Sequence, residues 1–180
     1  MTKTVWSIDP AHSEIGFSVK HMMISRVKGT FEEFDAALTL DEDELTNSEA
    51  EITIKVASIN TREENRDGHL QSADFFDADN YPNITFKAKN ITKTKDSQYD
   101  VTGDLTIRGT TKEVTIDTTF EGQSKDPMSG NIVAGVSGET VINRKEFGLT
   151  WNATVETGGV LVGEDVKIHL ELELHKQEEK

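Results

Sequence analysis

The chain has 180 residues, no cysteine and a formal net charge of −14, a length that suits one domain spanning residues 1–180. The missing thiols exclude disulfides and cysteine-based metal or nucleophile chemistry, and the acidity argues against nucleic acid and anionic membrane surfaces as partners. No apolar run reaches the roughly 18 residues of a spanning helix, so no stable membrane insertion is expected, and the opening MTKTVWSIDPAHS lacks the apolar core of a signal peptide, which points to a cytoplasmic protein.

Most of the chain alternates with the period of two that marks strands. Residues 4–8 form a short strand stopped by Asp9 and Pro10. Residues 12–22 follow, with Ile15, Phe17, Val19 and His21 on one face. Between residues 27 and 40 the apolar phase moves from odd positions (Val27, Phe31) to even ones (Phe34, Ala36, Leu38, Leu40), which predicts a β-bulge near Glu32 and Glu33. Residues 50–60 alternate again and slip phase at Val56 and Ala57.

The long interruption comes next. Thr61 is the expected cap of a short helix, with Glu63 and Glu64 in the first turn where the helix dipole favours acids, and Gly68 limits its length. Leu70, Phe75 and Phe76 are its expected apolar face, and Asn80, Tyr81 and Pro82 end it. Strands then run near residues 84–88, 99–107, 114–120, 132–142 and 160–174, with Arg108 and Gly109 in a hairpin turn. Residues 143–151, NRKEFGLTW, break the pattern as a second short helix or wide loop.

About eight hairpin-linked strands imply an all-β, antiparallel up-and-down sheet. Closed into a barrel, eight strands enclose either packed side chains or one ligand; a β-sandwich without a cavity is the alternative. Gly103, Gly135 and Gly138 favour the ligand by leaving interior space. Phe17, Val19, Phe31, Phe34, Leu105, Phe120, Val136 and Leu170 are the expected lining.

No nucleophile elbow, zinc-protease helix, phosphate loop or dinucleotide fingerprint is present, so a non-enzymatic role without cofactor or metal is expected. Two chemical alternatives exist: a metal held by His12, His21 and His69, and acid–base work by Asp67 with His69, although residues two apart on a helix do not face one another. The favoured constellation is basic. Arg62, Arg66, Arg144 and Lys145 all fall in the two non-strand segments, where they can rim an apolar interior and meet the anionic or polar head of a long-tailed ligand. Ordinary salt bridges made by Arg66 and Asp67, fixing the helix to the sheet, are the structural alternative.

Motifs throughout the chain resemble the YceI-like family of polyisoprenoid-binding, lipocalin-like barrel proteins. They are Trp6-Ser7-Ile8-Asp9-Pro10-Ala11-His12-Ser13, Val27-Lys28-Gly29-Thr30-Phe31, Ala57-Ser58-Ile59-Asn60-Thr61, Arg66-Asp67-Gly68-His69-Leu70, Asp74-Phe75-Phe76-Asp77, Tyr81-Pro82-Asn83-Ile84-Thr85-Phe86, the stretch from Gly103 through Ile107, Arg108 and Gly109 to Thr111, and Arg144-Lys145-Glu146-Phe147-Gly148. The resemblance implies an extended eight-stranded antiparallel barrel with a long apolar pore. The implied ligand is a polyprenyl phosphate, an isoprenoid-quinone-like lipid or another amphiphile, and a homodimer is compatible with it. For the head group, His21, Arg66, His69 and Arg144 are the expected contacts. The competing functions are an enzyme acting on such a lipid and a stress-response module whose barrel is filled by its own side chains.

Overall fold

The computed structural model describes residues 3–153 and 159–177. Among them the strands are β1 (Lys3–Ile8), β2 (Glu14–His21), β3 (Ser25–Phe31), β4 (Phe34–Asp41), β5 (Glu49–Lys55), β6 (Ile59–Asn60), β7 (Asn83–Lys95), β8 (Gln98–Ile107), β9 (Thr110–Lys125), β10 (Ile132–Asn143) and β11 (Val162–Lys176). One α-helix, α1 (Glu64–Gln71), lies between β6 and β7.

Every pairing is antiparallel, and β1, β4, β5, β7, β8, β9, β10 and β11 form a ring closed by β1 against β11. This is a closed eight-stranded barrel, and the sandwich alternative falls. The eleven segments reduce to eight staves because three staves are interrupted. β1 and β2 are separated by a 3₁₀ turn at Pro10–His12, β3 and β4 by Glu32 and Glu33, and β5 and β6 by a 3₁₀ turn at Val56–Ser58. The breaks lie beside one another: Glu32 donates its backbone N–H to Ser58 at 3.1 Å, and Lys55 donates to Glu33 at 3.0 Å. The phase changes in the sequence are therefore strand breaks at one level of the wall, where a bulge was expected at Glu32 and Glu33. Above that level β11 pairs with β2, and below it with β1.

The alternating residues face as their period requires. Leu170, Leu172 and Leu174 are buried, while the register places His169, Glu171, Glu173 and His175 between them on the outer face. The turn at Arg108 and Gly109 has positive φ at both residues, 50° and 74°, the geometry of the tight hairpin connection that matches strand twist.

The glycines do not leave the space expected of them. A Cβ at Gly103 would lie 2.3 Å from the Lys87 carbonyl and 2.8 Å from Phe86 Cζ, and one at Gly138 would lie 3.0 Å from Ile116 Cγ2. Neighbouring backbone and side-chain atoms already fill those positions. Gly135 sits outside, opposite Glu173.

The helix begins two residues later than expected. Glu63 is its cap, and its carboxylate accepts from the backbone N–H groups of Asn65 and Arg66 at 3.2 and 2.6 Å. Arg62 takes a left-handed φ of 66° and turns Thr61 away from the helix start. Gly68 stays inside the helix, where a Cβ would meet open space.

Candidate functional site

Two cavities adjoin along the barrel axis. The upper one, at the end covered by α1 and the 3₁₀ turn Arg144–Phe147, measures about 140 Å³. The lower one, toward the start of β1, measures about 130 Å³. Ile52, Phe86, Ile116 and Leu170 line both and form a waist between them. Each chamber is close to the roughly 150 Å³ of an apolar cavity that stays dry and admits benzene.

Of the expected lining residues, Phe17, Val19, Phe31, Leu105 and Leu170 line the upper chamber. Phe120, Val136 and again Leu170 line the lower one. Phe34 lines neither, because it packs into the core directly after the break in its stave. Alternation assigns a side chain to a face; whether it borders a void or fills it depends on neighbours several strands away. Leu70, Phe75 and Phe76, expected as the apolar face of the helix but not as lining, are brought over the upper chamber by α1 and its following turn.

Among the expected head-group residues, only Arg144 reaches a chamber. It is 4 % exposed and lines the upper cavity. Its Nε donates to the Gly163 carbonyl at 2.7 Å, Nη1 to Leu149 and Trp151 at 2.6 and 3.0 Å, and Nη2 to Val162 at 3.2 Å. Four of the five guanidinium N–H groups are thus held by carbonyls, and no carboxylate lies within ion-pair distance among the described residues. The guanidinium sits 5.9 Å from the centre of the Phe75 ring, in range of a cation–π contact. Burial pulls its pKa below the ordinary guanidinium value, and the nearby Glu164 charge acts in the opposite sense. Arginine nonetheless remains charged.

The other expected head contacts serve the architecture. Arg66 donates from Nε to Thr61 Oγ1 and from Nη2 to the Thr61 carbonyl, both at 2.8 Å. Asp67 receives the Thr61 backbone N–H at 2.9 Å and its hydroxyl as well. Both residues therefore pin α1 to Thr61, directly after β6, through hydrogen bonds where salt bridges fixing the helix to the sheet were the structural alternative. His69 pairs with Asp74 at 2.9 Å and stands edge-on to Phe75 and Trp151. Asp67 and His69 thus face different partners and do not form an acid–base pair. His21 ends β2 at the hairpin rim, outside either lining. His12 lies beyond the opposite end of β2, roughly 25 Å away at the usual rise per strand residue, so His12, His21 and His69 cannot share an ion. Lys145 is paired with Glu164 at 2.9 Å, and Arg62 is exposed, so neither adds charge to the chamber.

Arg108 lies outside the chamber lining and was read only as a turn residue. Its Nη1 donates to the carbonyls of Phe75 and Gly148 at 3.0 and 3.2 Å, tying the β8–β9 hairpin to the two segments that cover the upper chamber. No helix among the described residues is long and apolar enough to cross a membrane.

The model of the YceI-like domain matches residues 6–174. The chain is 45% identical over 170 residues to the UPF0312 protein SAR2769 of Staphylococcus aureus (strain MRSA252), a match covering 94% of this chain and 96% of that relative. Among solved structures, Burkholderia cenocepacia BcnA superposes with a TM-score of 0.81 at 27% identity, over 92% of this chain and 98% of that one. A polyisoprenoid binding domain from Saccharophagus degradans superposes with a TM-score of 0.74 over 97% of this chain and 99% of its own, and at 14% identity that likeness is one of fold.

Proposed function

The chain belongs to the YceI-like family, and from that premise and the chamber geometry we propose that it binds a long-chain isoprenoid lipid, or an amphiphile of similar shape, without chemical conversion. The carrying observation is the pair of apolar chambers joined at a waist, with the buried Arg144 guanidinium facing the upper one. The polyisoprenoid-binding fold neighbour supports the same reading. The tail threads from the upper chamber through the waist into the lower, and an anionic or polar head meets the remaining Arg144 N–H. The role is carriage or storage of the lipid.

Magnitudes indicate why both parts are needed. Burying about ten methylenes is worth on the order of 8 kcal/mol gross, and the lost freedom of association takes back about 4 or more. The remainder corresponds to a Kd of about 1 mM. One charge-assisted hydrogen bond adds about 1.5–3 kcal/mol and moves the affinity to tens of micromolar. Longer tails bind more tightly only if the waist parts to let them through.

The test is organic extraction of the purified protein, lipid mass spectrometry of the extract, and titration with polyprenyl phosphates of increasing length. A bound isoprenoid near one per chain, or affinity that rises with tail length, is expected. An empty extract together with no saturable binding of any chain length would overturn the proposal.

A further inference from the structure

On the outer face of the barrel, the last strand returns to the first turn of the chain, and four side chains converge there. Asp9 caps the Pro10–His12 turn by accepting the Ala11 N–H on Oδ1 at 3.0 Å. This leaves Oδ2 directed at His12 Nδ1, 2.7 Å away. Glu173 and His175 stand two residues apart on β11, on the same face. Glu173 Oε2 is 2.9 Å from His175 Nε2 and 3.5 Å from His12 Nδ1, and His175 Nε2 is 3.5 Å from Asp9 Oδ2. The four atoms, two imidazole nitrogens and two carboxylate oxygens, thus close a ring.

The backbone holds that ring from both sides. Asp9 donates its N–H to the Glu173 carbonyl at 2.9 Å, and Glu173 donates its own to Ser13 Oγ at 2.9 Å. Tetrahedral zinc binds histidine nitrogen and carboxylate oxygen at about 2.0–2.2 Å, which puts ligand atoms about 3.3–3.6 Å apart. Two edges of the ring already have that length. The two short edges are hydrogen bonds, each with a proton between the atoms an ion would join. Asp9, Glu173 and His175 are half-buried, and the His12 side chain is 67% exposed, so an ion has a route in.

We propose that Asp9, His12, Glu173 and His175 form a binding site for a first-row divalent cation of the zinc type. The donor set decides the class: mixed imidazole and carboxylate ligands suit zinc and its neighbours, whereas magnesium and calcium favour all-oxygen shells. The site spans the seam of the barrel. Among the described residues β1 and β11 pair there through Trp6 with Lys176, Ser7 with His175 and Ile8 with Leu174. An ion at this position staples the first stave to the last and stabilises closure by mass action. It lies on the outside of the wall whose inner face, at Leu174, lines the lower chamber. It is therefore independent of what the chambers hold.

The test is calorimetric titration of the full chain with zinc chloride at pH 7.5, with magnesium chloride as control and cobalt(II) absorption as a geometric readout. One zinc per chain with micromolar affinity is expected, together with a rise in Tm that magnesium does not give and the intense visible bands of tetrahedral cobalt. His12→Ala and His175→Ala each weaken zinc at least about tenfold. His169→Ala, which removes a different outward histidine paired with Glu14 at 3.2 Å, leaves it unchanged. Absence of saturable zinc binding, or affinity that survives both His12→Ala and His175→Ala, overturns the proposal. His12→Gln serves in place of the alanine variant if that one loses its native circular dichroism.

Discussion

Among the described residues, each end of the barrel buries one ionisable side chain against backbone dipoles, an acid at one end and a base at the other. At the lower end Asp41 is 1 % exposed. Its Oδ1 accepts the backbone N–H groups of Asp43 and Glu44, both at 3.1 Å, while Oδ2 has no partner among the described residues. At the upper end Arg144 donates to four carbonyls. The difference lies in what each ion faces. Arg144 lines a chamber; Asp41 is absent from the lining of either. Glu42, next to Asp41, is neutralised by Lys176 at 2.9 Å, which is the first cause of its lowered pKa. The lower end thus keeps its charges to itself, and the upper end presents one positive charge to an apolar cavity. That asymmetry gives the proposed ligand a direction, head up.

The largest expected effect comes from removing that charge. Arg144→Ala takes a donor from four carbonyls, of which Val162 keeps the Asn152 amide at 2.8 Å, at about 1–3 kcal/mol for each of the others that water fails to reach. A loss of about 3–5 kcal/mol in urea denaturation is expected. The functional reading is separable in Arg144→Met, which keeps bulk without charge. This variant should retain affinity for a polyprenol and lose about tenfold for the matching phosphate. Equal losses for both would show that Arg144 only braces the wall.

Asp41→Ala supplies the opposite arm. It removes the acceptor for two backbone N–H groups and is expected to cost about 2 kcal/mol. The preference for phosphate over alcohol should stay as in the parent chain. A changed preference would mean that the lower end also senses the head, and the asymmetry would fail.

The waist gives a smaller, geometric effect. Ile116→Phe adds bulk between the chambers, where Ile116 already occupies the space beside Gly138. Overpacking of this kind costs about 1–2 kcal/mol. Short isoprenoids should bind as before, and affinity should stop rising with chain length. Continued gains with length would place long tails outside the lower chamber.

Sequence alone reveals much of the frame, and the reason is the strictness of period two. Val166, Ile168, Leu170, Leu172 and Leu174 can face only one way, so the barrel wall is legible residue by residue. The breaks were legible too, as phase changes at Glu32 and Glu33 and at Val56 and Ala57. What alternation does not carry is height along the wall and the partner of each polar group. Arg66 and Arg144 look equivalent as basic residues in non-strand segments, yet one turns to Thr61 at 2.8 Å and the other into the chamber. His12 and His175, 163 positions apart in number, meet around Glu173 only because the ring closes β1 on β11. Neither outcome follows from local pattern, since both are set by which strands become neighbours.

The outer wall extends the comparison, because there ions balance each other and the effect is smallest. His12 has its pKa raised, first by the hydrogen bond it donates to Asp9 and then by the charges of Glu173 and Asp9. Asp9 has its pKa lowered, first by His12. His175, within 3.5 Å of Asp9 and 2.9 Å of Glu173, shares the same acids. A histidine raised in the folded state stabilises fully below its unfolded value of about 6.5 and loses that contribution as pH rises through the folded value. An aspartate lowered in the folded state contributes above its unfolded value of about 4 and loses that as pH falls. The pair is therefore most stabilising between about pH 4 and 6.5. With a chelator present, the Tm deficit of His12→Ala should be about 1–2 °C near pH 5.5 and smaller at pH 8.5, because exposed pairs are worth little. A deficit equal at both values would mean that His12 acts as a neutral hydrogen-bond donor. With zinc in place of the chelator the trend should reverse, since the ion needs the imidazole unprotonated. The deficit then grows with pH, and the same histidine distinguishes a proton from a metal in the seam.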